Sequence, residues 1–365
     1  MPEVFMIQQK KMRFSVLFLA GTAVFLMGYS LCMPKAMIET AKKALSVCAE
    51  SILPSLALFS VCAKMLLKSG AVRLLCEMHL PFRAEVVTAF LIGLVSGFPT
   101  GAATLSALTE KGLLSRKDAE KLLPFCNLAG PSFTLGTVGI LFFGDAFLGR
   151  ILFLAQFFAA FFGICLFTDL FSSAEKRKYE EMPSSVSFFS ALSASVCETV
   201  PAMLSVCGFV VFFALASDAF LRVFEGFGLA PSGFFRFLCG GFLELSSGLL
   251  FLSETVFSSV PRLFFGGILV GFGGISVFLQ ALDRTEHFFY APGFYLFGKI
   301  LCAFLCAAFS VFFFWLEKNV CSVFWKILIV LSLLFGMILL NFLKNKVFFK
   351  KVWKNRKECC IIYVR

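Results

Sequence analysis

Charge is scarce in this sequence, and histidine is almost missing. Only 15% of the 365 residues are Asp, Glu, Lys or Arg, against about 25% in a soluble domain. Hydrophobic residues make up 59% before the 28 glycines are added. A soluble protein of this length needs more polar surface than the chain can supply, which excludes a soluble enzyme or a disordered tail protein. The two histidines, His79 and His287, lie far apart, and none of the 14 cysteines stands in a CxxC pair. Zinc and dithiol signatures are therefore lacking. Cys48, Cys62, Cys165, Cys207, Cys302 and Cys306 sit inside apolar runs, where cysteine behaves as a small hydrophobe. Trp (3) and Tyr (5) are few beside 52 Phe, so the aromatic mass reads as lipid-facing and packing material. What is left is an all-α polytopic membrane protein.

The net charge of +11 does not indicate nucleic acid, because the cations gather at the ends of apolar runs. Lys10, Lys11 and Arg13 precede the first run, Lys176 to Lys178 lie in a central loop, and a basic tail follows the last run. Short Lys/Arg-rich loops stay cytoplasmic, which places both termini in the cytoplasm. Residues 14–33 are too long for a signal-peptide core and read as an uncleaved first span.

Hydropathy divides the chain into runs at 14–33, 44–68, 84–109, 122–143, 148–168, 188–216, 234–252, 263–282, 293–316 and 323–343. Two of them carry helix breakers at their midpoints. Ser96-Gly97-Phe98-Pro99-Thr100-Gly101 interrupts the third run, and Gly240 to Gly248, with Glu244 inside, interrupts the seventh. Each arm reaches only mid-bilayer, so both runs read as re-entrant helical hairpins. The order of features repeats. Glu50 with Pro54, the Gly97 break and Asn127-Leu128-Ala129-Gly130-Pro131-Ser132 are followed by Glu198 with Pro201, the Gly241 break and Gly271-Phe272-Gly273-Gly274-Ile275-Ser276. Gly97 to Asn127 and Gly241 to Gly271 are both 30 residues. Counting crossings against the charge clusters gives about eight transmembrane helices plus two hairpins, with the halves in opposite topology. That is the inverted-repeat plan of secondary transporters. The expected divisions are 1–43 (first span and interfacial segment), 44–168 and 188–316 (the two repeats), 169–187 (linker) and 317–365 (last span and tail).

Broken helices expose N–H groups at half-helix N-termini, and these attract anions. Ser96, Gly97, Thr100, Asn127, Ser132, Glu244, Ser246, Ser247, Gly273 and Ser276 flank the breaks and are the expected substrate-binding residues. Glu50, Glu198 and Glu244 are acids within apolar runs, where a charge usually marks function. They are expected to carry ion or proton coupling. Asp118 and Glu120 read as local ion pairs with Lys117 and Lys121 on an interfacial helix. No nucleophile stands beside His287, no cofactor or metal is indicated, and the chain is not expected to be an enzyme.

Ser96 to Ala102, then Gly112-Leu113-Leu114-Ser115 and Ala119-Glu120, then Phe125-Cys126-Asn127 resemble the sporulation integral membrane protein family of YlbJ (SpoVV) type, which carries gate or nucleoside-recognition domains. Gly271 to Val277, ending at Gln280, is similar to that family's second signature, and the motif-bearing part covers roughly 45–285. The resemblance implies a cell-membrane transporter of an endospore-forming bacterium, in the outer forespore membrane on the mother-cell side, with dipicolinic acid as cargo. The wider group looks similar to concentrative nucleoside transporters, so a nucleoside or nucleobase carrier is the alternative, as is a non-transporting sporulation scaffold. The implied partners are the lipid bilayer and a small anionic solute, with self-association or contact with other sporulation membrane proteins left open.

Overall fold

The computed structural model describes residues 2–78, 82–170, 187–229, 231–285, 292–320, 322–323 and 326–341. His79, Glu286, His287, the 176–178 loop and the basic tail lie outside them. Among the described residues every regular element is helical. Four helices are long and apolar enough to cross a bilayer, and a fifth is formed if a pair bent by 106° near residue 33 counts as one span.

The chain begins with α1 (Pro2–Cys32) and turns at Met33 into α2 (Pro34–Val47). Pro34 suits a helix start because its missing N–H would have had no partner there. A π-helical turn at Cys48–Ile52 carries α2 into α3 (Leu53–Lys68) without a break. In regular α-helix the Pro54 ring would strike the carbonyl of residue 50, and one wider turn relieves that clash. The helix that carries the apolar run from 44 therefore starts ten residues earlier, at Pro34. α4 (Ala71–Glu77) leads to the first broken run, α5 (Ala84–Ser96) and α6 (Thr100–Glu110). Thirteen residues of α5 span about 20 Å, two thirds of a bilayer core.

Next come α7 (Arg116–Cys126), a non-helical stretch at 127–131, a π-helix at Ser132–Phe142, and α8 (Ala146–Phe167). The second half opens with α9 (Phe188–Gly226), ten residues longer at its C-terminal end than the apolar run. The second broken run follows as α10 (Gly233–Leu243) and α11 (Leu245–Ser253). α12 (Ser259–Phe272), α13 (Gly274–Thr285), α14 (Pro292–Asn319) and α15 (Lys326–Asn341) complete the fold.

Both broken runs fold back on themselves. A Cβ on Gly101 would lie 1.9 Å from the Cys126 carbonyl oxygen, and one on Gly93 would lie 1.8 Å from the same atom. The two arms of hairpin 1 thus close on the end of α7. A Cβ on Gly248 would lie 2.2 Å from the Gly241 Cα, so the arms of hairpin 2 touch backbone to backbone. Small residues at such crossings let helices approach where lipid supplies no hydrophobic drive.

The long helices α2–α3 and α9 run antiparallel, joined at one end by Lys68–Glu198 and bound in the middle by Cys48, Ile52, Leu56, Val206, Cys207 and Val210. At the base of hairpin 1, Arg83 bonds Glu85 at 2.8 Å and Asp118 at 2.9 Å. Asp118 thus pairs across elements rather than with its helix neighbours. Burial works against the Arg83 charge, but the two carboxylates outweigh it and hold the guanidinium above arginine's ordinary value. Burial would raise Asp118, yet the Arg83 charge and hydrogen bonds from Arg83 and Ser115 hold it below the usual range.

Candidate functional site

The two hairpin tips and the two broken helices meet at one place. A Cβ on Gly97 would lie 2.8 Å from the Gly130 nitrogen, so tip 1 rests on the unwound 127–131 stretch. Gly97 has φ +77°, a region other residues adopt with strain. The break between α12 and α13 touches both tips: Phe98 Cζ lies 3.5 Å from a Cβ position on Gly273, and the Gly241 and Leu243 carbonyls lie 3.2 and 3.3 Å from one on Gly274. Between these elements is a cavity of about 60 Å³. Ser96, Gly97 and Phe98 line it from tip 1, Glu244 and Ser246 from tip 2, and Gln280 from α13. Ile52, Leu56, Val206 and Val210 form its wall on the long helices.

Glu244 breaks hairpin 2 with extended backbone, φ −147° and ψ 127°. Its carboxylate accepts from the Ser246 N–H at 2.9 Å and the Ser247 N–H at 2.7 Å. The acid therefore caps the N-terminus of α11, where a negative charge is favoured. It is 3% exposed. The free amide donors expected at this tip are already taken by the chain's own carboxylate. Tip 1 differs, since α6 starts after Pro99 with no side-chain cap.

Unwound backbone inside a membrane must find partners within the protein, and the 127–131 stretch finds them on α8 and α14. Gln156 grips Ala129 on both sides, donating to its carbonyl at 2.8 Å and accepting from its N–H at 3.1 Å. Lys299 donates to the Asn127 carbonyl at 2.5 Å, and Asn127 Nδ2 donates to the Tyr295 hydroxyl at 3.2 Å. The Lys299 ammonium also lies 5.2 Å from the centre of the Phe98 ring, within cation–π range. One lysine thus ties α14, the unwound stretch and tip 1 together.

With this geometry, one known protein is similar along most of its length. The Sporulation integral membrane protein YlbJ of Bacillus subtilis (strain 168) is 27% identical over 320 residues, covering 75% of this chain and 77% of that protein. The likeness supports the YlbJ-type sporulation membrane family. No family model matches, and no solved structure matches.

The expected site residues fall into three groups. Ser96, Gly97, Ser132, Glu244 and Ser246 line the central cavity. Asn127, Gly273 and Ser276 stand one layer behind it. Asn127 holds Tyr295, Gly273 meets Phe98, and Ser276 accepts from Gln280 Nε2 at 3.1 Å. Thr100 and Ser247 face two flanking cavities instead. One, of about 300 Å³, lies on the hairpin-1 side and shares Leu56 and Val206 with the central cavity. The other, of about 240 Å³, lies on the hairpin-2 side and shares Glu244 and Ser246. Glu198 lies in the hairpin-1 cavity, bonded to Lys68 at 2.6 Å and 4.0 Å from Lys64. No cation stands close to it in the sequence, and α3, 130 residues earlier, supplies two. Glu50 is exposed and accepts from Ser46 Oγ at 2.6 Å, away from the cavities.

Four polar side chains escaped the sequence reading as site residues: Gln156, Gln280, Tyr295 and Lys299. The Gln280 Oε1 is buried on the cavity side with no hydrogen-bond partner among the described residues. Lys299 carried the clearest signal, a charge inside an apolar run.

Proposed function

We propose that the protein is a transporter that moves a small anionic solute by alternating access, with dipicolinate during endospore formation as the cargo. The observation that carries this reading is a cavity between two hairpin tips, flanked on each side by a cavity that shares residues with it. With two tips on opposite sides, moving one at a time exposes the centre to one face at a time. Lys/Arg-rich loops assign the hairpin-1 side and both termini to the cytoplasm, with the protein in the outer forespore membrane on the mother-cell side.

Glu244 supplies the coupling in this reading. While ionised, it fills the α11 N-terminus as a tethered anion, and a carboxylate from the solute must displace it. A proton taken up by Glu244 removes that competitor and leaves two N–H donors for the solute. Proton uptake and anion loading are then linked at the same pair of amides. The Gln280 oxygen and the Ser96, Ser132 and Ser246 hydroxyls orient the solute, and Phe98 offers a ring face.

Uptake of labelled dipicolinate into proteoliposomes, with and without excess uridine, tests the proposal. Uptake driven by a pH gradient and indifferent to uridine is expected. Uptake of uridine with none of dipicolinate would establish the nucleoside carrier instead, and uptake of neither would leave the sporulation scaffold.

A further inference from the structure

The hairpin-1 cavity has a charge pattern that the central site does not use. Among the described residues Lys64, Lys68, Lys111 and Arg284 line it, against Glu198 as the one carboxylate. Lys64 and Lys68 stand one turn apart on α3 and both reach toward Glu198. Lys111 donates to the Leu67 carbonyl, which sets a third ammonium on the same wall. Burial, and then the Lys68 charge beside it, pull Lys111 below lysine's ordinary value even with Glu110 acting the other way. Arg284 comes from the last turn of α13 and pairs with its neighbour Asp283 at 3.3 Å. The floor is hydroxyl-rich: Ser60 and Thr100 bond each other at 3.0 Å and Thr104 is buried beside them. Leu56 and Val206 line both this cavity and the central one.

The cavity on the other side has the opposite balance. Glu39, Asp218, Glu225, Glu244 and Glu254 line it, against three cations. An anion is therefore drawn to the hairpin-1 side and repelled by the other. The carboxylate now held by Lys68 is easily released. Glu198 is 52% exposed, and an ion pair that open to water is worth only about 0–1 kcal/mol.

We infer that the hairpin-1 cavity is a staging site for small solutes that carry carboxylates, where Lys68 and Lys64 exchange Glu198 for a carboxylate of the solute. Its place on a transport path rests on the function proposed above, but binding at the site does not. An anionic lipid headgroup offers the same chemistry to these lysines. The position between α3, α6, α9 and α13 and the hydroxyl-rich floor favour the dissolved solute.

The test uses the full chain in phosphatidylcholine nanodiscs, with labelled pyridine-2,6-dicarboxylate as probe and its dimethyl ester as the neutral control. Lys68→Gln should weaken binding about fivefold and Lys64→Gln somewhat less, while Glu198→Gln should tighten it about threefold, the range expected of exposed charges. All three effects should shrink at high salt. A bridge that merely ties α3 to α9 would move Lys68→Gln and Glu198→Gln in the same direction, and that result overturns the inference, as does an equal response of the ester. If phosphatidylglycerol in the nanodiscs abolishes the lysine dependence, the ligand is a headgroup and the staging role is lost. Parallel uptake measurements separate the two ideas. Charge-dependent binding without any uptake would end the transport reading and leave the anion site standing. Uptake with an affinity indifferent to all three substitutions would do the reverse.

Discussion

The two hairpins share a shape and differ in how their tips are held. Hairpin 1 turns through Gly97, Phe98 and Pro99 with no acid at its tip, and rests on a five-residue unwound stretch that Gln156, Tyr295 and Lys299 brace from outside the hairpin. Hairpin 2 turns on Glu244, which satisfies its own following amides, and rests on a break centred on Gly273 and Gly274. The first tip thus depends on distant helices and the second carries its stabilising group with it. A tip that is capped from within can move as a unit. A tip braced by a lysine on α14 must break or carry along those contacts.

The comparison breaks first on packing, where the hairpins should behave alike. Gly101→Ala and Gly248→Ala each drive a methyl into backbone, at 1.9 Å and 2.2 Å, and overpacking of this kind costs about 3 kcal/mol or more where backbone cannot yield. Thermal unfolding in detergent should show both variants severely destabilised. Gly112→Ala serves as the control, since it has positive φ but open space, and should cost about 1 kcal/mol.

The next effects should separate the hairpins. Gln156→Leu leaves the buried Ala129 N–H and carbonyl without their partner, at about 1–3 kcal/mol for each group left unsatisfied. Lys299→Met should cost a similar amount by freeing the Asn127 carbonyl. Both losses should appear as faster hydrogen exchange in 127–131 and in tip 1, with hairpin 2 unchanged. Equal loosening of both hairpins would show that they are mechanically one body.

Glu244→Gln should act in the other direction. An amide has one carbonyl oxygen in place of two carboxylate oxygens and no charge for the helix dipole, so the cap weakens by about 1 kcal/mol. Exchange should rise at Ser246 and Ser247 only, and uptake should lose its dependence on the pH gradient. Retained dependence would remove Glu244 from coupling.

The smallest effect concerns acid. Asp118 titrates below its ordinary value because Arg83 holds it, so its contribution to stability is full above the unfolded value of about 3.9 and falls away as pH drops through the folded one. Asp118→Asn should lower stability by about 1 kcal/mol at neutral pH and flatten this acid limb of the unfolding curve.

The sequence disclosed the breaks better than the supports. Pro99 and Gly97 are local signals, and so is an acid between short apolar arms at Glu244; each marks its own position on the chain. Glu198 looked solitary because its partners Lys64 and Lys68 are brought to it by the antiparallel crossing of α3 and α9. Gln156 and Tyr295 are ordinary within their helices, and only the unwound backbone beside them gives them work. The helix start at Pro34 was hidden because residues 34–43 are amphipathic rather than apolar, so a hydropathy reading stops short of them. Breaks within an apolar run are harder to read than the run itself. Runs such as 122–143 hold enough apolar residues for a crossing but are divided at 127–131.

Lys299 also bears on how the protein is made. A lysine within a membrane helix costs up to about 3 kcal/mol when that helix is inserted alone. Its acceptor, the Asn127 carbonyl, belongs to a segment synthesised 172 residues earlier. The ammonium of α14 therefore gains its acceptor only once the N-terminal half is in place.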